Sequence, residues 1–175
     1  MLLLHGLFSG SGFWLDNLKK LKDYKIILCD IDYEFFFRED EHCIRQLEDY
    51  VANKKNLTIV SHSFGSSLNA WLDKSFLRIN ICPILANSRT NTNLFISEIK
   101  KKTNYRDEDI ITILKNAEEY LKKYNNFLSK SFTEMINFIP NNDCFFNYNC
   151  VSNFKGDHFD ISYALNEIMN LDELN

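Results

Sequence analysis

Leu57–Gly65 reads Leu-Thr-Ile-Val-Ser-His-Ser-Phe-Gly, and it decides how the rest of the chain is interpreted. Its first half is typical of a buried strand, because apolar and β-branched residues dominate it. Apolar residues at helical spacing follow within Leu68–Leu72. Between strand and helix, Ser63 stands at the centre of a sharp turn, and Gly65 supplies a small residue that such a turn requires. The stretch therefore predicts a strand, a tight turn that exposes the Ser63 hydroxyl, and a helix.

This turn makes Ser63 a candidate nucleophile. A serine between a strand and a helix is presented for attack, whereas most serines are not. Ser61 stands where such turns usually carry their first glycine. The alternative is that Ser63 merely caps the following helix, because serine is also a favoured N-cap residue.

Composition limits the remaining possibilities. The chain has 175 residues, of which 45% are hydrophobic and 25% charged, as expected for one globular domain. A net charge of −4 argues against nucleic acid as the main partner. The five cysteines show no CxxC or Cys/His spacing that predicts a metal site. We expect neither a metal nor a cofactor, and free thiols in a reducing cytoplasm.

The N-terminus is apolar only over Met1–Leu4 and lacks the features of a signal peptide. No stretch has the length of a membrane span. We therefore expect a soluble, cytoplasmic protein that does not bind membranes and is a monomer.

Strands and helices alternate in the first half of the chain. This half contains an aromatic and acidic segment, Tyr33 to Glu41, that we interpret as a loop. The predicted strands are Leu2–Leu4, Lys25–Asp32, the strand before Ser63, and Arg78–Ala86; the predicted helices begin near Phe13, span His42–Asn53 and follow Ser63. Alternation of this kind predicts an α/β fold with a mostly parallel sheet and flanking helices.

The pattern changes at Asn87. No strand signal occurs from Ile99 to about Phe138, and the best helix runs from Asp107 to Leu128. We predict a single domain, 1–175, with its core at 1–88 and 139–175 and a helical cap at about 89–138. In the tail, Cys144–Tyr148 and Cys150–Phe154 have strand-like content, and a closing helix spans Ser162 to about Leu171.

A serine nucleophile needs a base, and His158 is the best placed of the four histidines. It follows a glycine turn after the last predicted strand, so it lies on a loop that can lean toward Ser63. His62 is adjacent to Ser63, but neighbouring strand residues point to opposite faces.

The base needs an orienting acid, and the oxyanion needs donors. The chain order serine, acid, histidine favours Asp143; Asp157 is too close to His158 in sequence, and Asp30 and Asp32 precede the serine. The expected oxyanion donors are the backbone N–H groups of Phe64 and of Leu7, which follows His5-Gly6.

Three segments together resemble the α/β-hydrolase family: Leu3-Leu4-His5-Gly6-Leu7, Ser61-His62-Ser63-Phe64-Gly65 and Gly156-Asp157-His158-Phe159. They occur in the order that this family shows. The resemblance implies an α/β-hydrolase-like fold with a helical cap, and serine esterase activity without a cofactor.

Within that family, the His-Gly start, the cap and the small size are similar to the biotin-pathway esterases, which cleave the methyl ester of pimeloyl-acyl carrier protein. This likeness implies a carboxylesterase in biotin biosynthesis, with acyl carrier protein as partner. Residues 89–130 contain nine Lys or Arg and six Asp or Glu, so this cap segment carries +3 and the rest −7. The alternatives are a general small-acyl esterase or thioesterase, a lipase-like enzyme, and a non-catalytic relative that binds a partner.

Overall fold

A parallel sheet forms the centre of the computed structural model, which describes residues 1–84, 89–148 and 151–172. The strands in chain order are β1 (Leu2–Leu4), β2 (Ile27–Cys29), β3 (Thr58–His62), β4 (Leu77–Ile81), β5 (Arg89–Thr90), β6 (Ile136–Phe138) and β7 (Phe146–Asn147). Five of them form one sheet in the order β2-β1-β3-β4-β6, and every neighbouring pair is parallel. The predicted α/β class with a mostly parallel sheet is confirmed.

Helices cover both faces of this sheet. They are a 3-10 helix (Ser11–Leu21), α1 (Tyr33–Arg38), α2 (Asp40–Val51), α3 (Gly65–Asn69), α4 (Thr92–Lys102), α5 (Asp107–Lys123), α6 (Asn125–Phe132) and α7 (Ser162–Asp172). Alternate residues of β1 and β3 enter different cores, since side chains alternate along a strand. Leu4 and Ile59 join the core under α1–α6, while Leu3 and Val60 join the core under the 3-10 helix and α7.

The predicted loop at Tyr33–Glu41 is wrong, because Tyr33–Arg38 forms helix α1. Asp32 caps it by accepting a hydrogen bond from the Phe35 N–H at 3.0 Å. Phe36 is fully buried, with its ring 5.2 Å from that of Tyr120. Burial of these aromatic side chains stabilises a helix that their weak intrinsic propensity does not predict.

The long cap helix predicted from Asp107 to Leu128 is two helices. α5 ends at Lys123, and α6 begins at Asn125. Tyr124 lies at the break, where its hydroxyl donates to Asp40 Oδ2 at 2.7 Å. The apolar period continues through the break because both helices pack on the same core.

The chain returns to the main sheet earlier than expected. Ile136–Phe138, inside the stretch without strand signal, forms β6 and pairs with β4. Only three residues form this strand, too few for periodicity to reveal. A separate antiparallel pair, β5 with β7, ties the start of the inserted helices to the segment after Asp143.

Some predicted boundaries also change. The 3-10 helix replaces the α-helix expected from Phe13, and β2 is shorter than Lys25–Asp32. β4 ends at Ile81, and the predicted continuation to residue 86 lies partly outside the described residues, as does Cys150. Within the described residues, no helix is both long and apolar enough to cross a membrane.

Candidate active site

Ser63 lies directly after β3, at the carboxyl edge of the sheet. Its φ is +53°, in the left-handed region that non-glycine residues rarely adopt. Its N–H donates to the Ile81 carbonyl at 3.0 Å, which fixes the turn to the end of β4. The Ser66 N–H and hydroxyl in turn donate to the Ser63 carbonyl, at 3.1 and 2.7 Å. The strand–turn–helix geometry predicted from the sequence is present.

Two glycines let the turn pack against the loop after β1. A Cβ on Gly65 would lie 2.6 Å from the His5 carbonyl oxygen, and a Cβ on Gly6 would lie 2.8 Å from the Ser63 Cβ. Either approach is too close for any other residue without movement of the backbone or the serine. Ser61, at the position of the missing first glycine, is buried and donates to Asn80 Oδ1 at 2.6 Å. That hydrogen bond accommodates its hydroxyl within the sheet.

His158 lies in the loop before α7 and reaches Ser63. Its Nε2 is 3.1 Å from Ser63 Oγ, and its Nδ1 is 2.9 Å from Asp143 Oδ2. The imidazole is 2% exposed and packs against the Phe146 ring at 4.9 Å between centroids. Because a carboxylate accepts, Nδ1 carries the proton and Nε2 presents its lone pair to the serine hydroxyl.

Asp143 is held as an oriented carboxylate. Its Oδ1 accepts from the Phe145 and Phe146 N–H groups at 2.8 and 3.0 Å, and its Oδ2 also accepts from the Tyr148 hydroxyl at 3.1 Å. Burial acts to raise the pKa of this carboxyl, but hydrogen bonds and the charge interaction with His158 outweigh it and lower the pKa. The group therefore stays ionised and fixes the His158 ring.

The other histidines do not contact the serine hydroxyl. His62 Nε2 donates to the His158 carbonyl at 2.7 Å, and its ring stacks on Phe13. Buried His5 donates from Nδ1 to the Gly6 carbonyl and accepts from the Ile31 N–H at Nε2. His42 is exposed on α2.

Asp157, the competing acid, is turned away from the His158 ring. Its Oδ1 accepts from the N–H groups of Phe159 and Asp160, both at 2.8 Å. Asp30 accepts from the N–H and hydroxyl of Ser11, and its Oδ1 lies 3.9 Å from His5 Nε2. The structure thus brings Ser63, His158 and Asp143 together. The competing aspartates, Asp157 and Asp30, form other hydrogen bonds.

Leu7 and Phe64 carry the two backbone N–H groups that the sequence analysis expects to serve as oxyanion donors. Both line the same cleft as Ser63. Neither backbone N–H donates to an acceptor in the described part of the chain. The Tyr33 hydroxyl donates to the His5 carbonyl at 2.6 Å and so fixes the loop that carries Leu7. The two N–H groups are therefore available to a ligand.

A cleft of about 870 Å³, whose lining is more apolar than polar, opens at Ser63. Its walls come from the loop after β1, from the turn at Ser63 and Phe64, and from the inserted helices, chiefly α5. The apolar lining residues are Leu7, Phe64, Ile84, Phe95, Ile111, Leu114, Ala117, Leu121 and Phe146. The size and lining suit an acyl chain whose carbonyl carbon reaches the serine.

Four aromatic side chains of the inserted segment, Tyr105, Tyr120, Tyr124 and Phe127, do not line this cleft. Tyr120 accepts from Trp71 Nε1 at 2.8 Å, and the Phe127 ring lies 4.1 Å from that of Trp71. Tyr124 bonds to Asp40, and Tyr105 packs against Phe8. These side chains dock the inserted helices on the core, and the wall that these helices contribute comes mainly from aliphatic residues of α5.

Sequence reasoning missed two further contributors. Tyr148, which bonds to Asp143, has no local pattern that marks it. Ile111 lines the cleft and is 53% exposed, outside the buried stripe of α5. An apolar residue off the buried stripe of an amphipathic helix is the signal that would have found it.

Neither a comparison with protein families nor one with curated proteins finds a match to this chain. Among solved structures, the chain is similar to one described as a marine microorganism esterase, with 21% identity and a TM-score of 0.37. The similarity covers 74% of this chain and 57% of that one, so the chain spans little more than half of the structure it matches.

Proposed function

We propose that this protein is a serine carboxylic ester hydrolase. The observation that carries the proposal is the hydrogen-bonded chain from Ser63 through His158 to Asp143, opening on an apolar cleft. This unbroken series of hydrogen bonds favours an enzyme over a non-catalytic relative, because a binding protein has no need of a base aligned on a serine hydroxyl.

In acylation, His158 Nε2 takes the Ser63 proton as the hydroxyl oxygen attacks the ester carbonyl carbon. The N–H groups of Leu7 and Phe64 stabilise the oxyanion, and one such donor contributes about 3 kcal/mol to lowering the barrier. The alcohol departs with the proton that His158 returns. Water, activated by the same histidine, then releases the acid and restores Ser63.

The narrower proposal is that the substrate is the methyl ester of pimeloyl-acyl carrier protein, in biotin biosynthesis. It is supported by the similarity of the His-Gly start, the cap and the small size to the biotin-pathway esterases, and by a cleft whose apolar residues suit a chain of methylenes. The general alternative is a small-acyl esterase or thioesterase, for which the same site would serve.

Charge gives the carrier proposal weaker support than the sequence implies. Lys100 pairs with Asp107 at 2.7 Å, Lys101 with Glu98, and Arg106 with Asp109 at 2.9 Å. Lys102 lies over the Phe159 ring at 3.4 Å. An acidic carrier would therefore meet the net +3 of the cap segment as a diffuse field rather than as unpaired cations.

Activity is tested first with a short p-nitrophenyl ester. The wild-type protein should hydrolyse it, and Ser63→Ala should reduce turnover by roughly 10³–10⁶-fold while the circular dichroism spectrum stays unchanged. Folded wild-type protein without turnover of esters or thioesters, or a Ser63→Ala variant with wild-type turnover, contradicts the proposal.

A further inference from the structure

Three side chains of the types that bind metals converge in the folded chain, and one of them is His158 of the candidate triad. One ligand atom each of His62, Cys82 and His158 lies within 4.8 Å of the others, and all three residues are buried. They come from the end of β3, the residue after β4 and the loop before α7, so no sequence spacing reveals them. The mechanism above uses His158, but neither the Cys82 thiol nor the Nδ1 atom of His62.

His62 presents a lone pair that nothing in the described chain satisfies. Because the His158 carbonyl can only accept, Nε2 of His62 carries the proton and Nδ1 is the free acceptor. Nδ1 is buried and has no hydrogen-bond partner among the described residues, and the residue is 2% exposed. A buried acceptor without a partner costs about 1–3 kcal/mol, and a neutral imidazole nitrogen is also a common ligand of zinc.

Cys82 supplies a fixed sulfur ligand. Its N–H donates to the Phe138 carbonyl at 2.9 Å, and its φ is +50°, so the residue is held at the edge of the sheet. Its Sγ donates only a long contact, 3.7 Å, to the Asp157 carbonyl.

We propose that His62, Cys82 and His158 form a binding site for a thiophilic divalent cation, Zn²⁺ or Cd²⁺, that switches the enzyme off. On binding, the Cys82 S–H bond breaks, a sulfur–metal bond forms, and the proton passes to solvent. His62 Nδ1 and one ring nitrogen of His158 donate their lone pairs. Water completes a tetrahedral set, as one thiolate and two imidazoles commonly leave one position open on zinc.

The geometry requires a modest movement of one residue. Zinc–sulfur and zinc–nitrogen bonds of about 2.3 and 2.0 Å place ligand atoms roughly 3.5 Å apart. The ligand atoms of the three residues now lie within 4.8 Å of one another. To bind zinc, the two most distant of them therefore have to approach each other by about 1 Å. His158 is the residue to move, because it belongs to a loop, whereas His62 ends β3 and Cys82 directly follows β4 and is bonded to the Phe138 carbonyl.

Inhibition follows from which lone pairs are used. Coordination through Nε2 of His158, which already carries the lone pair, removes its hydrogen bond with Ser63. Coordination through Nδ1 requires the Nδ1 proton to shift to Nε2, and it removes the hydrogen bond with Asp143. Either change deprives the serine of an oriented base. This consequence rests on the proposed function, whereas binding of the cation does not.

The binding test uses Cd²⁺, because a cadmium–thiolate bond has its own ultraviolet absorption. Wild-type protein and the control Cys43→Ser should bind one equivalent with this absorption, and Zn²⁺ should displace it. Ser63→Ala should bind as well, since Ser63 is not a ligand. Cys82→Ser should lose the absorption, and His62→Gln should weaken binding at least tenfold, because even loss of an outer-shell partner costs about 10–100-fold.

Activity provides the second readout. Zn²⁺ should inhibit ester turnover by wild type and Cys43→Ser reversibly, with chelator restoring the rate, and Cys82→Ser should need at least about tenfold more Zn²⁺. The proposal is overturned if wild type binds no equivalent of Cd²⁺, or if Cys82→Ser keeps the wild-type absorption and affinity. The cadmium–thiolate absorption does not depend on turnover. If the protein proves not to be an esterase, the binding test therefore still shows whether the cation site exists.

Discussion

Ser63 and His62 are adjacent residues with opposite environments. Ser63 Oγ points into the cleft and meets the His158 ring, whereas the His62 side chain is enclosed between Phe13 and the His158 backbone. Burial, together with the neighbouring His158, lowers the pKa of His62 well below 6.5. The folded protein therefore holds His62 neutral under conditions in which the unfolded chain protonates it.

This difference predicts a dependence of stability on pH. The unfolded chain binds a proton at His62 below about pH 6.5 and the folded protein does not, so the free energy of unfolding falls as pH decreases through this region. Each such group contributes a slope of up to about 1.4 kcal/mol per pH unit, and His5, whose pKa burial also lowers, adds to it. His62→Gln keeps a donor for the His158 carbonyl but removes the titration.

Urea unfolding at pH 7.5 and pH 5.5 measures the effect. The loss of stability between the two should be smaller in His62→Gln than in wild type. An equal loss in both proteins would show that His62 is not excluded from protonation in the folded state.

At the residue scale, the sequence could predict Ser63 and His158 because each sits beside a local signal, a small-residue turn in one case and a glycine turn in the other. Asp143 follows only from chain order, since no pattern distinguishes it from other turn aspartates. The proximity of Cys82 to His62 could not be predicted, because β3 and β4 bring the two side chains together only in the folded sheet.

Helix α5 is the element that shapes the cleft. It contributes Ile111, Leu114 and Leu121 to the wall, while Thr112 on the same helix is exposed and does not line it. Each methylene buried in such a wall contributes about 0.8 kcal/mol, roughly a fourfold gain in kcat/KM. Octanoyl esters should therefore be better substrates than acetyl esters.

Leu114→Trp tests this role. The larger side chain should lower kcat/KM for the octanoyl ester by at least about tenfold, and much less for the acetyl ester, since an extra bulky group excludes only the long chain. Thr112→Trp is the matched control and should change neither. Equal losses on both esters would mean that α5 supports the fold without contacting the acyl chain.

At the element scale, the sequence predicts the strands around Ser63 and the insertion, because parallel strands read as apolar runs. It fails where tertiary packing decides. Helix α1 depends on burial of Phe36, and the break between α5 and α6 depends on the Tyr124 bond to Asp40. Strand β6 depends on pairing with β4 and is too short for a pattern.

At the scale of the whole molecule, charge is divided unevenly between the cap segment and the rest of the chain. If an acidic carrier delivers the substrate, the double variant Lys100→Ala, Lys101→Ala should raise KM for a carrier-bound ester. The control variant Lys19→Ala, Lys22→Ala removes the same charge at the 3-10 helix, outside the cap segment. It should have little effect on this KM. The screening length is about 8 Å at physiological ionic strength, so added salt should reproduce the cap variant.

A small soluble ester is the control for this prediction. Its hydrolysis should respond neither to salt nor to the two lysines, because diffusion of a neutral ester is not steered by charge. If both substrates respond alike, or neither responds, the general small-acyl esterase becomes the better account.

The central claim is that His158, oriented by Asp143, activates Ser63, and its most direct test is labelling with a fluorophosphonate followed by peptide mass mapping. We predict one adduct, on Ser63, in wild-type protein. Labelling should be absent in Ser63→Ala and about 10²–10⁴-fold slower in His158→Ala, while His62→Gln should retain most of the rate. An adduct on another residue, or wild-type labelling without His158 together with lost labelling in His62→Gln, would contradict the account.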